Sequence, residues 1–305
     1  MDTKVSLPLR HLLLALLTVL VWGVNFIAIY IGLKEVPPFL FCTLRFGLSA
    51  LPFVFFLPRP KAPLKFIAAY GLLNFAMQFG LLFSGIHMGL SPGLASLILQ
   101  IQVFFSIGLA FAFFGEKPGI LKIAGSLVSF IGIGIVACNL NADATLTGLL
   151  LTLLAALSWA AGNMFTKKVN AASPLSLVVW GNLVAFPFMA ATSFIVEGPS
   201  TIAASFHHIS WGTTVAAVAY VVYISTHVGY GIWGYLLKSY PTSSVVPFTL
   251  LIPIVGFISS AVFLSERLNS WKLWASMFIM GGLLFNLFEK QVGKLLERSY
   301  RGRTL

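Results

Sequence analysis

Acidic side chains are scarce in this chain: 8 of its 305 residues are Asp or Glu, against 19 Lys and Arg. Charged residues of both signs make up 9% of the sequence, and hydrophobic residues make up 58%. Soluble globular domains carry about a quarter of their residues as charges. The composition therefore excludes an ordinary soluble domain and predicts an integral membrane protein.

The few acidic residues also avoid the long apolar runs of the sequence. A carboxylate at the centre of a membrane is therefore not expected, which disfavours a site that pairs an embedded Glu with a lipophilic cation. All eight lie in loops or at the edges of the runs: Asp2, Glu35, Glu116, Asp143, Glu197, Glu266, Glu289 and Glu297.

Cysteines and catalytic motifs are equally sparse. Cys42 and Cys138 are the two cysteines, and both fall inside apolar runs, where a small buried side chain is the ordinary interpretation. They predict neither a disulfide nor a metal site. No H-E-x-x-H motif, no paired acid and no G-x-x-x-x-G-K-[ST] loop is present. An intramembrane enzyme stays a disfavoured alternative, and no cofactor is expected.

Long apolar runs are what the chain has in abundance. Each has the length that crosses a hydrocarbon core of roughly 30 Å, and the alternating pattern of barrel strands is absent. Because backbone groups in lipid must be satisfied within the segment, these runs predict helices. We predict an all-α membrane protein with ten transmembrane helices, at about 12–32, 39–57, 66–86, 93–114, 120–138, 147–166, 175–196, 211–236, 243–264 and 271–288.

Basic residues between the runs predict the orientation. If the N-terminus is cytoplasmic, fifteen Lys and Arg lie on the inner side, and the outer loops hold three: Lys34, Arg267 and Lys272. The positive-inside rule then places both termini in the cytoplasm. Because the net charge of +11 is mostly this topology signal, the basic tail predicts contact with the lipid bilayer and no nucleic-acid partner. The oligomeric state cannot be predicted.

Several segments occur twice. FGEKPGILKIAG, from 114, matches LSERLNSWKLWA, from 264, and VPPFLFCTLRF, from 36, matches ASPLSLVVWGN, from 172. Because a five-helix unit has an odd number of crossings, its second copy enters the membrane inverted, a recurring plan of secondary transporters. The alternative is a duplication in a protein that transports nothing. The predicted parts are a 1–11 N-terminus, repeats at 12–138 and 147–288, an outer linker at 139–146 and a basic tail at 289–305.

Seven segments share their order and spacing with one known family: WGVNF, PPFLFCTLRF, RPKAPL, SPGLASLILQIQVFF, FGEK, SWAAGNMFTKK and VGYGIWGYLL. In them the chain resembles the EamA-type exporters of the drug/metabolite transporter superfamily, over nearly its whole length. The resemblance implies a bacterial inner-membrane protein that exports small neutral or zwitterionic metabolites, such as cysteine or O-acetylserine, by alternating access. Other amino acids, purines or drugs are the alternative substrates.

Two Trp–Asn pairs are the first candidate site. Trp22 and Asn25 are three residues apart, Trp159 and Asn163 are four apart, and both spacings place a pair on one helix face. An amide beside an indole suits a zwitterionic amino acid. Interhelical hydrogen bonding by Asn is the competing interpretation.

The eighth run carries a polar aromatic stripe made of Tyr220, Tyr223, His227 and Tyr230. At 3.6 residues per turn these four side chains fall within an arc of roughly 80°. Their hydroxyl and imidazole groups need many partners, which a wet cavity supplies and dry packing does not. His227 is also the one histidine deep in a run, so any proton coupling is expected to pass through it; uncoupled transport is the alternative.

Glutamines and one arginine complete the candidates. Gln100 and Gln102 differ by about 200° around an ideal helix, so we expect only one of them to face a cavity, and Gln78 forms a further polar face with Asn74. Arg45 lies roughly 10 Å along its helix from the outer edge. Such an arginine is a functional candidate by default, but a structural or gating role, bonding carbonyls at broken helix ends, is the competing interpretation.

Overall fold

The computed structural model describes residues 7–141, 144–169, 173–240 and 242–301, and these residues are mostly helical with no β-strand among them. The all-α prediction is confirmed. Predicted parts at 1–6, 142–143 and 302–305 lie outside the described residues, as do the side chains from 288 onwards. Nine helices in the described ranges are long and apolar enough to cross a membrane: α1 (Leu9–Gly32), α2 (Pro38–Phe55), α3 (Leu64–His87), α4 (Pro92–Phe114), α5 (Ile120–Cys138), α6 (Leu146–Phe165), α7 (Pro174–His207), α8 (Thr213–Ser239) and α9 (Val246–Leu264).

A last long helix, α10 (Ser270–Arg301), contains the tenth predicted crossing. It packs against α5 at very close range, because a Cβ on Gly125 or on Gly282 would collide with the backbone oxygen of the other glycine. Ser129 of α5 donates a 2.9 Å hydrogen bond to Ile279 O of α10. The close packing joins α10 to the bundle, while its crossing of the membrane stays a prediction.

Helix boundaries follow local sequence rules. Pro38, Pro92 and Pro174 occupy the first turn of their helices, where the missing N–H costs nothing. The α4 helix ends at Gly115 with φ of 66° and α9 ends at Ser265 with φ of 54°, both in the left-handed conformation that terminates helices. These two residues occupy the same position in the matched segments, so the two copies share a stop signal.

One predicted loop contains a helix. The predicted runs at 175–196 and 211–236 leave residues 197–210 as an outer loop, yet Gly198–His208 is helical. Gly198 has φ of 79°, which redirects the chain, and Pro199 then starts the new helix. α7 therefore continues to His207, past the predicted end of the seventh crossing at 196, and changes direction at Gly198.

Three carboxylates fasten one end of the bundle. Glu197 accepts hydrogen bonds from Phe39 N and Leu40 N, at 2.7 and 2.9 Å, and so caps the start of α2. Unpaired N–H groups and the helix dipole both favour an anion at that position. Because α7 carries the capping residue, the cap links the second half of the chain to the first.

The other two carboxylates bridge the halves in the same way. Glu35, after α1, accepts from Ser210 N at 2.7 Å and from Thr214 Oγ1 at 2.5 Å, at the start of α8. Glu266, after α9, accepts from Ser91 Oγ at 2.6 Å, immediately before α4. We call this end of the bundle, where Glu35, Glu197 and Glu266 lie, the capped end.

Candidate functional site

A cavity of about 400 Å³ lies inside the bundle, lined by side chains from seven helices: α1, α2, α3, α4, α6, α8 and α9. Its volume falls in the range of small-molecule sites, which combine apolar walls with a few polar groups. Eight of the predicted site residues line it: Trp22, Asn25, Gln78, Gln100, Gln102, Trp159, Asn163 and Tyr230.

The cavity lies around the middle of the bundle. In α1, α2 and α4 its lining residues lie in the half of the helix nearer the capped end, at Trp22 to Phe26, Arg45 and Ser96 to Gln102. In α6 and α9 they lie in the farther half, at Trp159 and Asn163 and at Val246 to Ile252. The cavity is therefore about midway between the two ends of the bundle.

Trp22 is held in the wall by α8. Its Nε1 donates a 3.1 Å hydrogen bond to Ser225 O, and its ring contacts Tyr230 and Trp233 at centroid distances of 5.2 and 5.4 Å. A Cβ on Gly229 would lie 2.5 Å from Trp22 Nε1. The indole N–H is therefore hydrogen-bonded within the protein, and the ring surface of Trp22 lines the cavity.

Two amides in the wall have polar atoms with no partner. Asn25 Oδ1 and Asn74 Nδ2 are buried and make no hydrogen bond. Asn74 packs against the α6 backbone, where a Cβ on Gly162 would overlap its amide nitrogen and lie 3.0 Å from its backbone N. Buried polar atoms are normally hydrogen-bonded, so these two mark positions where a ligand atom or a water is expected.

Arg45 also lines the cavity, and its side chain is 2% exposed. Among the residues that the structure describes, its one hydrogen bond runs from Nη2 to Thr226 Oγ1, at 3.5 Å, and Nη1 is buried without a partner. Of the two roles that the sequence leaves open for Arg45, the structural one would pair the guanidinium with backbone carbonyls. Among the described residues it contacts a hydroxyl and aromatic rings.

Gln100 and Gln102 both line the cavity, so the expectation that only one of them could do so is wrong. The reason is a 3₁₀ turn at Leu99–Ile101. In an ideal α-helix the two side chains are about 200° apart, which is about 160° measured the shorter way. With three residues per turn the shorter angle between them narrows to about 120°. Gln100 Nε2 donates to Thr249 O at 3.2 Å. The Gln102 side chain is half-buried where it lines the cavity.

The predicted stripe on α8 is divided, and Tyr230 is its one member at the cavity. Tyr220 donates to Val21 O at 2.9 Å. Tyr223 is 42% exposed on the outside of the bundle. His227 packs on Phe53, with ring centroids 4.0 Å apart. The structure does not bring these three side chains to the cavity.

Helix winding explains the division. Tyr220–Gly229 is a π-helix, whose hydrogen bonds span five residues instead of four. Each residue then advances by less than the 100° of an α-helix, so residues three, seven and ten apart do not share the predicted face. π segments frequently occur at functional sites, and here one frees Ser225 O to accept from Trp22.

Further lining residues were missed by the sequence analysis. Tyr70, Ser96, Ser225, Trp233 and Thr249 reach the cavity from four helices. Ser and Thr occur throughout membrane helices, where they often bond their own backbone, so their presence alone gives no signal. Trp233, three residues after Tyr230, could have been found by the same spacing argument that selected Trp22 and Asn25.

Membrane-length helices around a largely apolar cavity with convergent polar groups define a membrane transport protein. The EamA-like transporter family model matches the chain twice, over residues 9–138 and 146–288. The chain therefore belongs to the EamA-like transporter family. Its two matches follow the two copies that the sequence repeats indicate.

Individual relatives agree with this assignment. The chain is 43% identical over 282 residues to proteins of Salmonella typhimurium and Escherichia coli, each named "Probable amino-acid metabolite efflux pump", covering 90% of this chain and 94% of each relative. A crystal structure of another protein matches with a TM-score of 0.61, covering 91% of this chain and 95% of that one. At 17% identity this second likeness shows the fold alone.

Proposed function

We propose that this transporter exports small neutral or zwitterionic metabolites, in particular amino acids such as cysteine or O-acetylserine, across a bacterial inner membrane. The cavity carries this proposal, because its wall joins amide groups and a guanidinium to the rings of Trp22, Trp159 and Tyr230. Such a wall suits a small molecule with a polar head and a short apolar side chain. The names of the two relatives at 43% identity support the same substrate class.

We further propose alternating access between two inverted five-helix repeats, with ten crossings and both termini cytoplasmic. The central position of the cavity supports this mechanism, because transporters built from inverted repeats bind their substrate near the midplane. Glu35, Glu197 and Glu266 form bonds that hold one end of the bundle together. In the proposed cycle these bonds close the outer side while the cavity faces the cytoplasm. Substrate release then requires the capped end to open.

An intramembrane enzyme is the alternative of a different class. Gly89–Gly93 reads GLSPG and fits the letters of the G-x-S-x-G motif, but a nucleophile elbow joins a strand to a helix. Here the segment joins two helices, and Ser91 donates its hydroxyl hydrogen to Glu266. We therefore propose that the protein moves its substrate unchanged.

Uptake into inside-out membrane vesicles tests the proposal. Vesicles from cells that overproduce the protein should accumulate labelled cysteine or O-acetylserine faster than vesicles from cells with an empty vector. Mass spectrometry of the accumulated label separates transport from chemistry, because a transporter delivers an intact molecule. Labelled purines and a cationic drug, run in parallel, identify the alternative substrates. Equal accumulation of the amino acids in both vesicle preparations would reject the proposal.

A further inference from the structure

The guanidinium of Arg45 is buried without an anionic partner among the described side chains. It is 2% exposed and forms no ion pair with any acidic residue whose side chain the structure describes. A guanidinium has five N–H donors, yet its one hydrogen bond to the described residues is the 3.5 Å contact with Thr226 Oγ1. Burying a charge without a partner is costly, so a partner from outside the chain is expected.

The acidic side chains that the structure describes lie outside the cavity. Glu35, Glu197 and Glu266 bond groups at the capped end, and Glu116 is exposed between α4 and α5. Among the described lining residues, Arg45 has the one formal charge of the cavity. The cavity therefore has a net positive charge and favours anionic groups over cations.

Aromatic rings fix how Arg45 can be approached. Its Cζ lies 3.8 Å from the centroid of the Phe79 ring and 5.9 Å from those of Phe46 and Phe83. The Phe79 ring therefore occupies one side of the guanidinium and offers its N–H groups no hydrogen-bond acceptor, which leaves them for other partners. Nη1 is the buried atom of this guanidinium with no partner, and a carboxylate matches the N–H fork of a guanidinium with two parallel hydrogen bonds.

We propose that Arg45 binds the carboxylate of the exported molecule, so that the substrate must be a carboxylate-bearing amino acid. The unpartnered Asn25 Oδ1 of the same cavity is the acceptor for its ammonium group. This assignment rests on the proposed function, and it narrows that function to exclude compounds without a free carboxylate, such as simple amines, amino-acid methyl esters and lipophilic cations. It also gives the guanidinium its missing anion.

Competition in proteoliposomes tests the carboxylate requirement directly. Purified native protein is reconstituted, and uptake of labelled cysteine, kept reduced, is inhibited by unlabelled cysteine, cysteine methyl ester or cysteamine. The ester masks the carboxylate and cysteamine lacks it. Because a hydrogen bond to a charged group is worth about 1.5–3 kcal/mol, cysteine should inhibit about 10- to 100-fold better than either analogue.

Two variants link the requirement to Arg45. In Arg45→Gln, which removes the charge, the inhibition ratio of cysteine to methyl ester should fall towards one. Arg45→Lys keeps the charge without the planar fork, and its ratio should be intermediate. A purely structural role would weaken transport of every compound without changing this ratio. If Arg45→Gln does not accumulate, the ratios of the native protein and Arg45→Lys decide the matter.

The outcomes separate the two proposals. Native protein that transports cysteine but accepts the methyl ester equally well overturns the carboxylate assignment and leaves the export function standing. A native-like ratio in Arg45→Gln, or in Arg45→Lys where the Gln variant fails to accumulate, overturns the role of Arg45. Native protein that moves neither cysteine nor O-acetylserine overturns the proposed function, and the assignment of Arg45 with it.

Discussion

Lys272 donates a hydrogen bond of 2.7 Å to Glu266, and the side chains are only 1% and 5% exposed. Ser91 and Ser260 donate their hydroxyl hydrogens to the same carboxylate, and Gly93 N lies 3.4 Å from it. A buried ion pair is tolerated when further hydrogen bonds satisfy the carboxylate. Glu266 thus joins α9, α10 and the start of α4 at the capped end.

Glu266→Gln should therefore destabilise the protein. The change leaves Lys272 buried without its anion, and breaking such a pair costs about 3–5 kcal/mol. Glu116→Gln is the matched control, because Glu116 occupies the same position of the first repeat but is exposed. Thermal unfolding of both purified variants in detergent should show a lower midpoint for Glu266→Gln alone. Equal midpoints would mean that the network contributes nothing to stability.

The same network predicts a dependence of stability on pH. Burial alone would raise the pKa of Glu266, but the hydrogen bonds from Lys272, Ser260 and Ser91 outweigh it and lower the pKa below the ordinary 4.5. A carboxyl group whose pKa is lowered by folding stabilises the protein above its unfolded pKa and loses that contribution as the pH falls through the folded value. The midpoint difference between native protein and Glu266→Gln should stay constant from pH 7 to about pH 5 and narrow as the pH falls below 4.5. A difference that widens on acidification contradicts the network.

Close packing at Gly229 gives a prediction with a control in the same helix. A Cβ at this position would lie 2.5 Å from Trp22 Nε1, whereas a Cβ on Gly231 has no atom within 4 Å. Gly229→Ala should displace the indole and cost about 1–3 kcal/mol through overpacking, with a loss of transport. Gly231→Ala should behave like the native protein. Unfolding midpoints and vesicle uptake of both variants check this, and similar behaviour of the two would contradict the packing.

Transport assays should distinguish substitutions of residues that line the cavity from substitutions of polar residues outside it. Asn25→Ala and Asn163→Ala remove amides from the wall and should lower uptake of labelled cysteine at least about tenfold while accumulation in the membrane is retained. Tyr223→Ala, on the exposed side of α8, is the control and should transport normally. Variants of Asn25 and Asn163 that fail to accumulate would favour interhelical hydrogen bonding as their role.

Sequence periodicity predicted the positions of the helices well but the directions of some side chains badly. One physical reason explains the difference. Of the nine helices in the described residues that could cross a membrane, all but α7 begin and end close to the predicted runs, because hydrophobic length is a property of the whole segment. Side-chain direction depends on winding, and α8 contains a π-helix at Tyr220–Gly229 while Leu99–Ile101 is a 3₁₀ turn. Tyr223 was misplaced there, and the expectation that only one of Gln100 and Gln102 could face the cavity was wrong. Hydrophobicity does not reveal such changes of winding, whereas Trp22 and Asn25, in regular helix, both line the cavity as predicted.

Reporter fusions test the proposed topology. A fusion after residue 140 follows the first repeat, and a fusion after residue 305 follows the second. With five crossings per repeat, the first reporter should be periplasmic and the second cytoplasmic. Alkaline phosphatase, which is active only outside the cytoplasm, and a fluorescent protein that folds inside it distinguish the two compartments. Reporters in the same compartment would reject the inverted repeat.

His227 should not couple transport to protons, contrary to the sequence-based expectation that any coupling would pass through it. Its Nδ1 lies 2.9 Å from Val222 O and its Nε2 lies 3.0 Å from Ser49 O, so the ring joins α8 to α2 outside the cavity. A glutamine can donate to one of these carbonyl oxygens, and His227→Gln is therefore expected to fold. Cysteine export from proteoliposomes, measured with and without an imposed pH gradient, should respond equally in the native protein and in this variant. A gradient response that disappears in His227→Gln, while transport down the cysteine gradient continues, would restore the histidine as the coupling group.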